Sequence, residues 1–162
     1  MVQIREAEES DLGRITEIYN QAILNTTATF DTEPKTIEKQ KEWFQKHSKK
    51  YPLLVAELES CVLGWASLTP WSDRCAYSDT AEISLYIDEA HRGKGIGKKL
   101  MSEIIEAGYR AKLHTVIARI AEGNEISVQM HKQRGFTVIG NMKEVGRKFG
   151  KLLDVLLMQK IY

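Results

Sequence analysis

The sequence is poor in the residues that mark several classes of protein. Its 162 residues include only two cysteines and three prolines. Cys61 and Cys75 fall into no CxxC or Cys/His ligand spacing, which excludes a disulfide framework and gives no indication of a zinc site. Because 43% of the residues are hydrophobic and prolines are few, the composition also excludes a disordered or fibrous chain.

Neither sign of charge is in excess, and long apolar runs are missing. Lys and Arg number 23 against 22 Asp and Glu, a formal net charge of +1, so no global field attracts nucleic acid or an anionic membrane. No apolar run approaches the roughly 20 residues of a membrane span, and the N-terminal segment MVQIREAEESD is acidic and unlike a targeting signal. We therefore expect a cytoplasmic protein with reduced thiols and a small-molecule partner, and no nucleic acid or membrane partner.

Hydrophobic periodicity predicts one continuous α/β domain over residues 1–162, with a mixed sheet. Strands are predicted at 2–7, 53–58, 62–68, 80–87, 114–121, 136–142 and 152–162. Helices are predicted from Ser10 or Asp11, from Thr36 or Ile37 to Lys49, at 95–111 and at 125–134. The helix at 95–111 has a packed stripe at helical spacing, formed by Ile96, Leu100, Met101, Ile104 and Ala107.

A glycine-rich turn joins the strand at 80–87 to the helix at 95–111. Its string Arg92-Gly93-Lys94-Gly95-Ile96-Gly97 lies where unpaired helix N–H groups and the helix dipole favour an anion. The P-loop pattern GxxxxGK(S/T) fails, because Lys99 stands at its last position and Arg92 at its first. The dinucleotide pattern GxGxxG fails as well, since its last position falls on Lys98 or Leu100. We therefore expect a phosphate-bearing ligand other than NAD or an ATP held by a P-loop.

The turn does fit the acyl-CoA pyrophosphate motif Gln/Arg-x-x-Gly-x-Gly/Ala, which Arg92, Gly95 and Gly97 fill. Around it the chain resembles the GNAT N-acyltransferase superfamily, which follows this motif with a strand and an Asn-led helix ending in Gly-Phe. More closely, the chain resembles the phosphinothricin and methionine sulfoximine acetyltransferase family along nearly its whole length. The similar stretches are IYNQAI from Ile18, TATFDTEP from Thr27, TAEISLYID from Thr80, RGKGIGKKL from Arg92, NEISVQMHKQRGF from Asn124 and VGRKFGKLLDV from Val145.

This resemblance implies a single GNAT domain. In this fold, the strands (about seven) and helices (about four) that the hydrophobic periodicity predicts form a mostly antiparallel twisted sheet with flanking helices. It implies transfer of the acetyl group of acetyl-CoA, without a metal, to the α-amine of a small amino acid or analogue such as phosphinothricin, methionine sulfoximine or methionine sulfone. The implied acetyl-CoA site comprises Leu85, Tyr86, Ile87, Arg92, Gly93, Lys94, Gly95, Ile96, Gly97, Lys98, Asn124, Ser127 and His131. Acetylation of a polyamine or a protein N-terminus, and a non-catalytic acyl-CoA sensor, are the alternatives.

Glu82 is the candidate catalytic residue. Alternation along the strand at 80–87 puts Glu82, Ser84 and Tyr86 on one face and apolar residues on the other. A carboxylate in a strand that is covered on both sides needs a partner, a water or a chemical task. Attack of an alkyl ammonium on a thioester requires a base, and the resembling family assigns this role to the glutamate at this position. A structural ion pair or an exposed face is the alternative.

The phosphinothricin and methionine sulfoximine acetyltransferase family, which this chain resembles, holds its substrate with the segment that precedes this strand. In this chain that segment is WSDRCAY, which begins at Trp71. The candidate substrate-binding residues are Phe30, Arg74, Cys75, Ala76, Tyr77 and Ser84. We expect Arg74 to grip an α-carboxylate bidentately, with a surface arginine as the alternative. Phe30 and Tyr77 are expected to wall an apolar pocket. Cys75 lacks a neighbouring His or an activating helix end, so direct transfer in a ternary complex is expected rather than an acyl-enzyme.

Two positions depart from the commoner GNAT pattern. His131 stands where many GNAT enzymes have a tyrosine that protonates the leaving thiolate, so the general acid stays unassigned. A packing role for His131 and an N-cap role for Asn124 are the alternatives to contacts with acetyl-CoA. Leu152 stands where the family usually has Trp, in a segment that resembles the family's C-terminal hairpin. Because family members are commonly dimers, a homodimer is expected.

Overall fold

The computed structural model describes all 162 residues and has the predicted mixed α/β composition. Its strands are β1 (Gln3–Glu6), β2 (Leu53–Leu58), β3 (Cys61–Pro70), β4 (Thr80–Ile87), β5 (Thr115–Ala121), β6 (Thr137–Lys148) and β7 (Lys151–Ile161). Its helices are α1 (Leu12–Asn25), α2 (Ile37–Phe44), α3 (Ile96–Arg110) and α4 (Glu125–Lys132). Seven strands and four α-helices confirm the predicted fold class. None of the helices has the length and apolar character that a membrane crossing requires.

All seven strands form one sheet in the order β1-β2-β3-β4-β5-β7-β6. Every neighbouring pair is antiparallel except β4 and β5, which run parallel. The β4–β5 pairing covers only three residue pairs, from Thr80 with Thr115 to Glu82 with Ile117. Each strand continues beyond these pairs. The two central strands therefore separate after Glu82, and an opening in the sheet begins at this residue.

Helices cover both faces of the sheet. The predicted stripe of α3 is buried against one face, with Leu100 and Ile104 fully inaccessible and packed in one cluster with Ile83 of β4. On the other face, Ile18 of α1 packs in a second cluster with Trp65 of β3. The alternation predicted for β4 is confirmed, because its apolar residues face α3 and the face of Glu82 is turned towards α1.

Helix α2 is shorter than predicted. The prediction extended it to Lys49, but it ends at Phe44. The His47 ring packs edge-on against Trp43, with ring centroids 4.6 Å apart, and His47 Nδ1 lies 3.0 Å from the carbonyl oxygen of Tyr51. These contacts turn the chain back before the proline that follows Tyr51. The predicted end of this helix was therefore wrong.

Strand β6 is longer than predicted. The prediction ended it at Met142, but it continues to Lys148 and forms one long hairpin with β7. The pairing is irregular between Met142 and Gly146, where Glu144 adopts a φ of 49°. The Asp154 carboxylate accepts a hydrogen bond from Glu144 N at 2.8 Å. A side chain of β7 thus stabilises the bulge that interrupts the sequence pattern.

Gly64→Ala is expected to lower stability, because β3 and β4 leave no room there for a methyl group. A Cβ at Gly64 would lie 2.9 Å from the carbonyl oxygen of Tyr86 and 2.5 Å from Ile87 Cδ1. The free energy of unfolding should fall by about 1–3 kcal/mol, measured by urea denaturation. Gly140→Ala makes the same change on β6, where a Cβ meets no atom within 4 Å. Equal stability of the two variants would contradict this packing.

Candidate active site

A cavity of about 1510 Å³ begins at the opening between β4 and β5. Its lining extends from the glycine turn before α3 to aromatic side chains beneath α1 and α2. Of the predicted site residues, the lining includes Phe30, Glu82, Ser84, Leu85, Tyr86, Ile87, Arg92, Gly93, Gly95, Ile96, Gly97, Lys98, Asn124, Ser127 and His131. Lys94 and residues 74–77 do not line it. The cavity therefore joins the predicted phosphate site to the predicted base.

The glycine turn at the mouth of the cavity has the backbone geometry that only glycine adopts readily. Gly93 and Gly95 have φ angles of 76° and 80°, in the left-handed region. Gly95 is also the N-cap of α3 and has no side chain to satisfy the first helical N–H groups. Arg92 and Lys98 flank these groups on the cavity wall. Free amides, a helix dipole and two cationic side chains form a site for an anion.

Asp88 fixes this turn to α1. Its carboxylate accepts a hydrogen bond from Gln21 Nε2 at 2.9 Å and lies 2.6 Å from His91 Nδ1 and 3.3 Å from a guanidinium nitrogen of Arg14. Burial acts to raise the pKa of Asp88, but the hydrogen bonds from Gln21, His91 and Arg14 lower it to about 2. The carboxylate is thus ionised at neutral pH and holds the start of the turn. Sequence patterns did not indicate this role for Asp88, because two of its partners, Gln21 and Arg14, lie far from it in the chain.

Residues of helix α4 and its N-cap also line the cavity. Asn124 Oδ1 accepts a hydrogen bond from Ser127 N at 3.2 Å, which confirms Asn124 as the N-cap. His131 is 6% exposed, and its Nδ1 lies 2.7 Å from the carbonyl oxygen of Ser127. Burial lowers the pKa of His131, and its ring packs edge-on against Phe136. His131 therefore has a packing role as a neutral imidazole on the cavity wall.

Glu82 lies at the point where β4 and β5 separate, and it is paired with Arg119 of β5. Arg119 Nε donates to Glu82 Oε1 at 2.6 Å, and a terminal nitrogen donates to Oε2 at 2.8 Å. The side chain of Glu82 is 18% exposed and that of Arg119 is 53% exposed. The Arg119 guanidinium carbon lies 5.8 Å from the Trp71 ring centroid. The sequence analysis missed Arg119, because its position beside Glu82 depends on the register of a parallel pair.

The inner end of the cavity is aromatic. Trp65 has its ring centroid 5.7 Å from Tyr19, 5.3 Å from Trp43 and 4.9 Å from Tyr86. Burial raises the pKa of Tyr86 to about 12 and also raises the pKa of Tyr19. The Tyr19 hydroxyl donates to Asp31 Oδ2 at 2.5 Å. Two neutral phenols and two indoles thus line an apolar end with polar edges.

A buried lysine holds the loop before α2 at this end. Lys148 of β6 is 4% exposed, and its Nζ donates to the carbonyl oxygen of Thr29 at 2.7 Å. Burial lowers the pKa of Lys148. The adjacent Phe30 ring packs so closely on Gly146 that a Cβ on this glycine would overlap it. The hairpin β6–β7 therefore sets the position of Phe30, a link that the sequence pattern did not indicate.

The segment predicted to hold substrate lies apart from the cavity lining. Residues 74–77 are exposed and form a short 3-10 turn before β4. Cys75 and Cys61 are free and exposed. No group of three or more His, Cys, Asp and Glu side chains is arranged to hold a metal ion. The substrate roles of residues 74–77 stay predictions.

Comparison with known proteins agrees with this geometry. Residues 4–157 match the family described as an acetyltransferase (GNAT) domain. The chain is 38% identical over 157 residues to an L-methionine sulfoximine/L-methionine sulfone acetyltransferase of Salmonella typhimurium, covering 96% of this chain and 92% of that protein. It is 39% identical over 158 residues to a phosphinothricin N-acetyltransferase of Streptomyces coelicolor, covering 95% and 92%.

A solved structure extends the likeness to three dimensions. The crystal structure of a phosphinothricin acetyltransferase from Sinorhizobium meliloti, in complex with acetyl-CoA, matches with a TM-score of 0.95 and 34% identity. The match covers 99% of this chain and 88% of that one. Fold, cavity and sequence agree, and the chain belongs to the GNAT acetyltransferase family.

Proposed function

We propose that this protein transfers the acetyl group of acetyl-CoA to the α-amine of a small amino acid or analogue, such as methionine sulfoximine, methionine sulfone or phosphinothricin. The observation that carries the proposal is the position of Glu82. This carboxylate lies where β4 and β5 separate, in a cavity that continues to the glycine turn. The names of the relatives from Salmonella typhimurium and Streptomyces coelicolor supply the substrate class.

The cavity fits acetyl-CoA in shape and charge. The amides of the glycine turn, with Arg92 and Lys98, bind the pyrophosphate. Beyond Glu82, the edge of β4 that faces β5 has no strand partner. Backbone groups of residues 85–87 on this edge hydrogen-bond the pantetheine and the thioester oxygen, and the Ile87 carbonyl oxygen also accepts a hydrogen bond from Arg92 Nε at 3.2 Å. Asn124 and Ser127, at the start of α4, also contact acetyl-CoA. This arrangement directs the thioester towards the face of the sheet on which Glu82 and Ser84 lie.

The reaction requires one base and no covalent enzyme intermediate. Glu82 takes a proton from the substrate ammonium, and the free amine attacks the thioester carbonyl carbon. The C–S bond then breaks, and the second proton lost by the nitrogen neutralises the departing CoA thiolate. Phe30, Tyr19 and the other aromatic side chains exclude water from the reacting groups and enclose the substrate side chain. His131, buried and neutral, supports α4.

We further propose that the protein acts in the cytoplasm as a homodimer. Two exposed free cysteines suit a reducing compartment. Strand β6 forms an outer edge of the sheet, and the hairpin β6–β7 exposes large apolar side chains. These are Val138, Ile139, Val145, Phe149 and Leu152, each 44% to 60% exposed. A second copy of the chain would cover this surface.

Glu82→Gln is expected to lower kcat for acetylation of methionine sulfone by about 10²–10⁴-fold, because the amide cannot accept the proton. The dissociation constant of acetyl-CoA, measured by calorimetry, should stay within about twofold, since Glu82 lies outside the phosphate site. Glu103→Gln, on the exposed face of α3, is the matched control and should leave kcat unchanged. Normal turnover by Glu82→Gln would remove Glu82 from the role of base. Acetyl-CoA binding by an unaltered protein that turns over no amine would instead support the sensor.

Arg92→Ala is expected to weaken acetyl-CoA binding about tenfold, because a charge-assisted hydrogen bond to the pyrophosphate is lost. S-Acetylpantetheine lacks these phosphates, so its KM should not change. Arg110→Ala removes the same charge at the other end of α3 and serves as the control. An equal loss for both thioesters would mean that Arg92 acts on the fold of the turn rather than on the phosphates.

Light scattering is expected to give a mass of about twice 18.5 kDa for the unaltered chain. Phe149→Glu should shift the protein to the monomer mass, because it places a charge in the apolar surface of the hairpin. Leu24→Glu alters a similarly exposed side chain on α1 and should leave the dimer intact. A monomer mass for the unaltered chain at micromolar concentration would contradict the homodimer.

A further inference from the structure

Arg119 and Glu82 form an ion pair inside the candidate active site. Two parallel N–H···O contacts of 2.6 Å and 2.8 Å join them, the bidentate geometry that a guanidinium makes with a carboxylate. Both residues line the cavity, one from each of the two strands that separate at this point. The pair therefore places one positive and one negative group side by side at the reacting end of the cavity.

These two charges match the two charges of an amino acid. The α-carboxylate and the α-ammonium of a zwitterion are separated by a single carbon atom. The substrate carboxylate can replace that of Glu82 as the acceptor for the two parallel N–H groups of Arg119. The substrate ammonium can replace Arg119 as the donor to Glu82. After this exchange, every charged group has a partner of opposite sign. An amine without a carboxylate can pair only with Glu82 and offers no partner to Arg119.

We infer that Arg119 binds the α-carboxylate of the substrate and so positions its amine at Glu82. This inference rests on the proposed function and names the group that selects amino acids over other amines. Arg119 is free enough to change partners, because its side chain is 53% exposed. The guanidinium carbon of Arg119 lies over the Trp71 ring, 5.8 Å from its centroid, and this cation–π contact stabilises the side chain.

The same exchange controls the base. While Arg119 holds both oxygens of Glu82, the carboxylate is engaged by a permanent cation. When the substrate carboxylate draws the guanidinium away, Glu82 is released to accept the ammonium proton. A polyamine brings no carboxylate, so Arg119 stays on Glu82 and competes with the amine. Binding of the correct substrate therefore also prepares the base.

Arg74, the arginine that the sequence analysis assigned to this task, is placed differently. It is exposed, lies at the start of the 3-10 turn and does not line the cavity. It makes no ion pair with a carboxylate of the chain, in contrast to Arg119. Arg74 therefore stays the rival candidate for the α-carboxylate, and Arg110, which pairs with Glu106 outside the cavity lining, is the matched control for Arg119.

The test compares two amines that differ only by the carboxylate, methionine sulfone and 3-(methylsulfonyl)propylamine. Arg119→Gln should reduce kcat/KM for methionine sulfone about 10- to 100-fold, the cost of a charged bidentate contact, mainly through KM. The same variant should acetylate the decarboxylated amine as well as the unaltered enzyme or better. Arg119→Lys keeps the positive charge but cannot make two parallel hydrogen bonds to a carboxylate, so it should lose part of the activity on methionine sulfone. Arg110→Gln, which alters an ion-paired arginine outside the cavity, should keep the original preference between the two amines, and Arg74→Gln tests the rival arginine.

The outcomes separate this inference from the proposed function. Folding of each variant is checked by circular dichroism and by acetyl-CoA affinity, and Arg119→Lys carries the test if Arg119→Gln does not fold. An Arg119 variant that keeps the original preference for methionine sulfone overturns the inference, as does loss of that preference in Arg74→Gln alone. Both results leave the proposed function standing. An unaltered enzyme that acetylates no amino acid overturns the proposed function and the inference together.

Discussion

The separation of β4 from β5 after Glu82 is the constraint on which the site depends. Three residue pairs join these strands and then pairing stops, although both strands continue. Unpaired backbone in a sheet interior is costly unless another group satisfies it. In the proposed mode of binding, the pantetheine chain of acetyl-CoA lies along this edge of β4 and supplies such partners. In this proposal, the opening that interrupts the sheet is the path along which an acyl-CoA reaches the opposite face.

The two ends of this path are fixed by different interactions. At the mouth, the buried Asp88 carboxylate binds the turn to α1 through partly buried hydrogen bonds, so the amides before α3 have a defined position. At the inner end, Lys148 and Gly146 of β6 hold Thr29 and Phe30. The hairpin β6–β7 therefore connects the aromatic end to the part of the surface where a second copy is expected. In the proposed homodimer, the surface between the two copies is joined through this hairpin to the residues that hold the aromatic end of the cavity.

Local patterns in the sequence predicted the elements whose cause is local. The alternation that placed Glu82 and Tyr86 on one face, the stripe of α3 and the glycine turn all follow from spacing within one segment. Arg119 was missed because its proximity to Glu82 depends on a parallel register between strands separated by a helix. The Lys148 contact with Thr29 and the bulge held by Asp154 also join distant residues. No pattern within a single segment encodes such contacts.

The most direct test of the account is the initial rate of CoA release from acetyl-CoA in the presence of a panel of amines. The panel contains methionine sulfone, methionine sulfoximine, phosphinothricin, spermidine and a peptide with a free N-terminus. We expect rapid release with the amino-acid analogues and almost none with spermidine or the peptide. Rapid release with spermidine or the peptide, and none with the amino-acid analogues, would contradict it.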